Sequence, residues 1–236
     1  MRDNSTYSNK DLTFLTCVDK EYINFLLPFC VFINNSNPGS KIEIFVHNKE
    51  IISNLTLPSN VTLNLMPEGN ADTLRYIVSP TKFTKFTYIT DVDILYTEPL
   101  IYFHLNIMKI YNINFSNVVR KNKKNRMSGL HFVETSSWYN DTKNARKSAN
   151  VYGQDESELY KITNLTYPNI TIPSGLWARP IHGIHASLGR KNIHDPELGW
   201  ELNSQRVDFF KKVIEENPYF SDWFDQKVTQ KIMKKP

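Results

Sequence analysis

Compact apolar runs alternate along this chain with longer segments that carry one apolar face. LTFLTCV (12–18) is apolar throughout except for its threonines, the pattern of a strand buried on both faces. Residues 22–33 follow with an apolar face long enough for a helix, and Pro28 either lies near its first turn or kinks it. NNSNPGS (34–40) is a turn signal, and KIEIFVHN (41–48) and VTLNLMP (61–67) read as the second and third strands. ADTLRYIV (71–78) has a helical pattern, and FTKFTYIT (83–90) is a β-rich run that delivers the chain to Asp91. Glu98-Pro99 opens a helix over 100–110, because proline is favoured in a first helical turn. FSNVVR (115–120) and GLHFVET (129–135) read as strands, 155–162 as a short helix, and RPIHGIHASL (179–188) as a late extended segment. Helices are expected over 204–216 and 219–233, the second with Tyr219, Phe220, Trp223, Phe224, Val228 and Ile232 in one stripe beside lysines. No internal repeat or low-complexity linker interrupts this order. Alternating strands and helices predict an α/β fold with a mostly parallel central sheet flanked by helices, whose ligands gather at the carboxyl ends of the strands.

Composition narrows the class without naming a function. The 236 residues are 40% hydrophobic and 22% charged, a globular balance large enough to bury a core. The net charge of +4 is concentrated in RKNKKNR (120–126) and in the lysines of 227–235. Such runs are either solvated faces or patches for phosphates and anionic membranes, and the sequence leaves both open. Cys17 and Cys30 sit inside apolar runs, which fits buried thiols in a reducing compartment. The first residues are polar and no apolar run reaches 18 residues, so a cytoplasmic protein is expected. The Asn-x-Ser/Thr triplets at Asn54 and Asn164 therefore carry little weight.

The chemistry concentrates in YITDVDILYTE (88–98). If the chain is extended there, Asp91 and Asp93 point the same way, about 7 Å apart. Two carboxylates held together in a partly buried site are costly unless a cation or hydrogen-bond donors compensate them. A hard dication, Mn²⁺ or Mg²⁺, is one solution; a turn-capping aspartate beside a solvated one is the other.

Five stretches together resemble glycosyltransferases of the GT-A type, most closely the family 8 group that includes bacterial lipopolysaccharide galactosyltransferases and glycogenin. LTFLTCVDKEY is similar to the family's first strand and its Asp-x-x-Tyr turn, and LRYIVSPTKFTKFTYITDVDIL to its arginine helix and Asp-x-Asp strand. MSGLHFVETSSWYN resembles the strand ending in tryptophan, YGQDESEL the Asp-Gln helix start, and RPIHGIHASLGRK the late histidine segment. The resemblance implies a nucleotide-diphospho-sugar transferase fold over 1–200, with 201–236 as a helical C-terminal extension.

It also implies roles. Thr16, Cys17, Asp19 and Tyr22 would hold base and ribose, with the backbone of Val92 near the ribose. Arg75 would approach the diphosphate or sugar, and Ser128 and Gly129 would line the sugar pocket. Asp155 would contact donor hydroxyls and Glu156 would sit near the anomeric carbon. Asp91, Asp93 and His185 would bind Mn²⁺ or Mg²⁺, and Arg190 would neutralise the departing phosphates. Glutamate stands at 156 where the family has glutamine, serine at 128 where it has asparagine, and the spacing after His185 departs from the family's. His182 is thus a substitute third ligand, although on a strand the two histidines face opposite ways. Glu156 reads equally as a general base and as an acidic helix start favourable to the dipole.

The implied activity is hexosyl transfer from a nucleotide diphosphate sugar, UDP-linked as a first expectation, to a glycan or lipid-linked acceptor in capsule or lipopolysaccharide synthesis. The C-terminal stripe would either touch the inner face of the membrane or pack on the domain. Two rivals remain: a nucleotide-sugar-binding module without turnover, and a basic nucleic-acid-binding protein. The second lacks any nucleic-acid-reading pattern, so no nucleic-acid partner is expected.

Overall fold

The computed structural model describes residues 7–52, 54–120, 125–173, 182–186, 202–218 and 220. The central strand β1 (Leu12–Val18) is buried at every position, as its unbroken apolar run requires. It pairs in parallel with β2 (Lys41–Val46) on one side and β4 (Phe86–Ile89) on the other, and β2 pairs in parallel with β3 (Val61–Leu65). Beyond β4 the sheet changes sense. β7 (His131–Glu134) runs antiparallel to β4, and β6 (Phe115–Ser116) antiparallel to β7, completing the order β3-β2-β1-β4-β7-β6.

Helices cover both faces. On one side α1 (Leu26–Ser36) and α3 (Ile101–Tyr111) pack with α7 (Ser204–Glu216) over Phe14, Ile42, Tyr88 and Phe132. Pro28 stands in the first turn of α1, where its missing amide costs no intrahelical bond. On the other side α2 (Ala71–Leu74), α4 (Thr135–Asp141), α5 (Lys143–Lys147) and α6 (Asp155–Thr166) cover Leu15, Cys17, Ile89 and Val133. Trp138, fully buried, is the largest side chain in that layer.

Within the C-terminal stretch 201–236, α7 packs on the main domain. Val207, Phe210 and Val213 are buried in the same core as β1, and the Phe210 ring lies 5.6 Å from that of Phe32 on α1. Most of the stretch 219–233 lies outside the described residues. Among those that are described, no helix is long and apolar enough to cross a membrane.

A separate two-stranded ribbon joins distant parts of the chain. β5 (Ile94–Tyr96) pairs antiparallel with β8 (Gly183–His185), in the register Ile94↔His185 and Tyr96↔Gly183. Gly183 makes the pairing possible. A β-carbon there would lie 2.0 Å from the Leu95 carbonyl oxygen, inside any van der Waals contact.

Candidate active site

Chain order reverses between β1 and β4, since β2 and β3 lie to one side of β1 and β4 to the other. Ligands of open α/β sheets bind in the crevice beyond the carboxyl ends of such neighbours. A cleft of about 180 Å³ occupies that position. Its walls include Cys17, Asp19 and Tyr22 after β1, Asp72 and Arg75 on and just after α2, Asp91, Val92 and Asp93 after β4, Asp155 at the start of α6, and His185 on β8.

Each acid is placed by a local feature. Asp19 caps the short 3-10 helix Lys20–Phe25, accepting from the Glu21 and Tyr22 amides at 3.1 and 3.3 Å. Asp91 and Asp93 do not lie on an extended strand as their spacing implied. β4 ends at Ile89, and a turn then brings both carboxylates to one side before β5 begins. β8 closes on this turn through the Ala186 amide, which donates to the Asp93 carbonyl at 2.8 Å. His185 Nε2 comes within 3.2 Å of Asp93 Oδ2. One ligand atom from each of Asp91, Asp93 and His185 lies within 4.8 Å of the others, a mixed oxygen and nitrogen set that suits a first-row or hard dication.

Arg75 is the cationic centre of the cleft. It is only 2% exposed, ion-paired to Asp91, bonded to Asp155 Oδ2 at 3.0 Å and 3.7 Å from Asp72. Its plane lies over the Tyr76 ring at 4.9 Å, and its Nε has no hydrogen-bond acceptor among the described residues. Burial opposes its charge, yet the carboxylate of Asp91, with Asp155 and Asp72, more than offsets that and holds it protonated. Asp72 shows the converse. Desolvation at the cleft wall raises its carboxyl above the usual range, Arg75 lowers it, and Asp91, Asp155 and Asp19 raise it further. Its side chain remains 77% exposed, so water screens much of that repulsion. Burial drives the Cys17 thiol far above its ordinary value, which leaves it a neutral wall rather than a thiolate.

A second cavity of about 400 Å³ shares Asp19, Ala71, Asp72 and Asp155 with the first and continues past His47, Asn70, Gly153 and Gln154. Sequence reasoning missed this extension. Asp72, three residues before Arg75 on one helical turn, was detectable from that spacing. His47, Asn70 and Gln154 come from separate loops and carried no local signal.

Several expected site residues stand elsewhere. Glu156 does not line the cleft: it is 2% exposed, and its carboxylate is ion-paired with both Arg120 and Arg126, the latter at 2.7 Å. The general-base reading needs this carboxylate in the cleft, and the structure instead places it against Arg120 and Arg126, a structural position. Ser128 and Gly129 are buried behind the cleft rather than lining it. The Ser128 amide and carbonyl bond the Asn117 side chain, and the Gly129 carbonyl accepts from Tyr76 Oη at 2.8 Å. Thr16 is buried within β1 and is not part of the cleft wall.

His182 is not an alternative ligand. It turns to the opposite side of β8 from His185, where its ring nitrogens meet Glu98 and His104, each at 3.2 Å. Arg206 of α7 donates to the same Glu98 oxygen at 2.8 Å. Arg190 and the residues flanking it lie outside the described residues.

No protein-family model matches the chain, and no curated protein matches it by sequence. Among solved structures, two crystal structures of the glycosyltransferase GlyE from Streptococcus pneumoniae TIGR4 are similar to it. The apo form shares 12% identity over 70% of this chain and 44% of its own, with a TM-score of 0.44. The other shares 13% identity over 70% of this chain and 45% of its own, also with a TM-score of 0.44. The chain thus spans less than half the length of these structures, and no residue's role is transferred from them.

Proposed function

We propose that the chain is a metal-dependent glycosyltransferase of the GT-A type that moves a hexosyl group from a nucleotide diphosphate sugar to a glycan or lipid-linked acceptor. One observation carries the reading: Asp91, Asp93 and His185, the last 92 residues beyond Asp93, converge in a cleft at the switch point of a mostly parallel sheet. Those three residues would hold Mn²⁺ or Mg²⁺. An ion held there would supply the positive charge that stabilises a diphosphate leaving group.

The remaining roles follow from position in the cleft. Tyr22 offers a ring, and Asp19 and the Val92 backbone polar groups, for a nucleoside at the β1 end. Arg75 sits between the acids and would turn its donors to the diphosphate. Asp155, facing both cavities, would accept from hydroxyls of the donor sugar, and the second cavity would admit the acceptor. Among the described residues, the five carboxylates at 19, 72, 91, 93 and 155 face a single guanidinium and one imidazole, a wall that repels a diphosphate and favours a cation. Its likeness to family 8, and a UDP-linked donor, are the narrower form of the proposal. The nucleic-acid reading loses ground because two of the charges in RKNKKNR are engaged by Glu156.

The test is a thermal-shift screen of nucleotide sugars with and without Mn²⁺, followed by assay of nucleotide release. A shift that needs both the cation and a UDP-sugar, with release of UDP, is expected. Binding without release, to any acceptor or to water, would instead identify a binding module, and cation-independent binding would overturn the metal role.

A further inference from the structure

The Arg75–Asp91 ion pair involves one of the proposed metal ligands directly. Arg75 holds Asp91 with one terminal nitrogen and Asp155 with the other, and it is almost completely enclosed. A dication beside Asp91 would therefore face a guanidinium one carboxylate away. Like charges held so close repel, and burial weakens the screening of that repulsion by water. The same guanidinium has an unsatisfied Nε inside the cleft wall, a donor with no acceptor among the described residues.

We propose that Arg75 couples the two ligands of the cleft: it weakens the triad's hold on a dication alone, and once the dication takes Asp91 the guanidinium turns its donors to the diphosphate. This rests on the metal-dependent reading above and adds a regulatory step to it. Cation and diphosphate then strengthen each other, because each removes a charge conflict that the other leaves. By linkage the factor is the same in both directions. Tyr76 guides the movement. Its ring supports the guanidinium plane, and its hydroxyl is anchored to the Gly129 carbonyl, so Arg75 swings over a fixed surface. Asp155 retains the second nitrogen during the exchange and keeps the charge in the cleft.

The experiment measures Mn²⁺ binding by loss of the free-ion paramagnetic resonance signal, first with Mn²⁺ alone and then with saturating UDP, on the full chain and on R75Q and R75K. In the unaltered chain UDP should tighten Mn²⁺ binding, and calorimetry of UDP with and without Mn²⁺ should return the same factor. R75Q should bind Mn²⁺ alone about tenfold more tightly and lose most of that mutual strengthening. R75K should fall between, because it keeps the charge but lacks the fork. Unchanged or weaker Mn²⁺ binding by a folded R75Q would overturn the coupling role while leaving the metal site standing. Absence of Mn²⁺ binding in all three chains would overturn the metal reading and the coupling with it. Should R75Q not fold, the guanidinium ¹⁵N signals of Arg75 in the unaltered chain provide the second readout: they should shift on titration with Mg²⁺ alone, and signals that stay fixed while Mg²⁺ binds would overturn the exchange.

Discussion

Asp155 and Glu156 are consecutive acids at the start of α6, yet they serve opposite electrostatic neighbourhoods. Asp155 points into the cleft, where one arginine is shared among several carboxylates. Glu156 points back into the protein, where one carboxylate is shared between Arg120 and Arg126. The excess charge is therefore negative on the cleft side and positive on the other. An acid-rich cleft favours positive charge, whereas an acid closed off by two arginines fastens Arg120 and Arg126 to the helix. Sequence adjacency says little about role when a helix turns neighbouring side chains by about 100°.

The largest effect should come from deepening the charge change on the cleft side. D93N removes a ligand oxygen and the partner of His185, and should lower donor turnover about 1,000-fold with the melting temperature within a few degrees of the unaltered chain. Substantial turnover by D93N would remove the cleft from the chemistry. On the opposite side, E156Q leaves two guanidinium groups without their shared counter-charge. It should cost about 3 kcal/mol of stability in urea denaturation, with turnover per folded molecule nearly unchanged. A collapse of turnover in folded E156Q would show that the two neighbourhoods are not separate.

Next in size is D155N, whose expected signature is the reverse: turnover down about 30-fold, equivalent to about 2 kcal/mol, and stability altered by less than about 1 kcal/mol. A change of pH, with no substitution, tests buried polar groups away from both neighbourhoods. Burial holds the His131 imidazole down to about 3, and burial with the nearby His182 and His131 keeps His104 well below its ordinary value. Their folded values are depressed, so their contribution is complete above about pH 6.5 and declines as the unfolded chain takes up protons below it. Stability should fall by about 1.4 kcal/mol for each pH unit below 6.5 for His131, read from urea midpoints between pH 6.5 and 4.5. A flat stability profile over that window would contradict the neutral buried imidazole.

How far the sequence disclosed this arrangement depended on whether a feature was local. β1 and α7 were legible because burial on both faces, or on one helical stripe, writes itself into periodicity. The strand expected over 115–120 is only Phe115–Ser116, because the Asn117 side chain takes over the pairing: it accepts from the Val118 and Ser128 amides and donates to the Ser128 carbonyl. The helix expected over 71–78 stops at Leu74 and continues as turns toward Pro80, which disfavours helical geometry at the residue before it. The antiparallel sense of β6 and β7 has no counterpart in hydrophobic spacing.

The site divided along the same line. Asp91 and Asp93 could be picked out as paired acids after a strand-forming run, Asp19 and Tyr22 came only through the family resemblance, and the opposite facing of His182 and His185 followed from strand geometry. The capture of Glu156 by Arg120 and Arg126 could not be read, since it depends on contacts made across 30 residues or more.

Gly183 touches none of the three candidate ligands, yet its lack of a side chain lets the ribbon strands approach until His185 stands opposite Ile94. Saturation mutagenesis scored only by activity would therefore rank this glycine beside the acids and the imidazole. The two classes separate on adding excess manganese: a weakened ligand set regains occupancy by mass action, whereas a strand pushed off its neighbour has no site to refill.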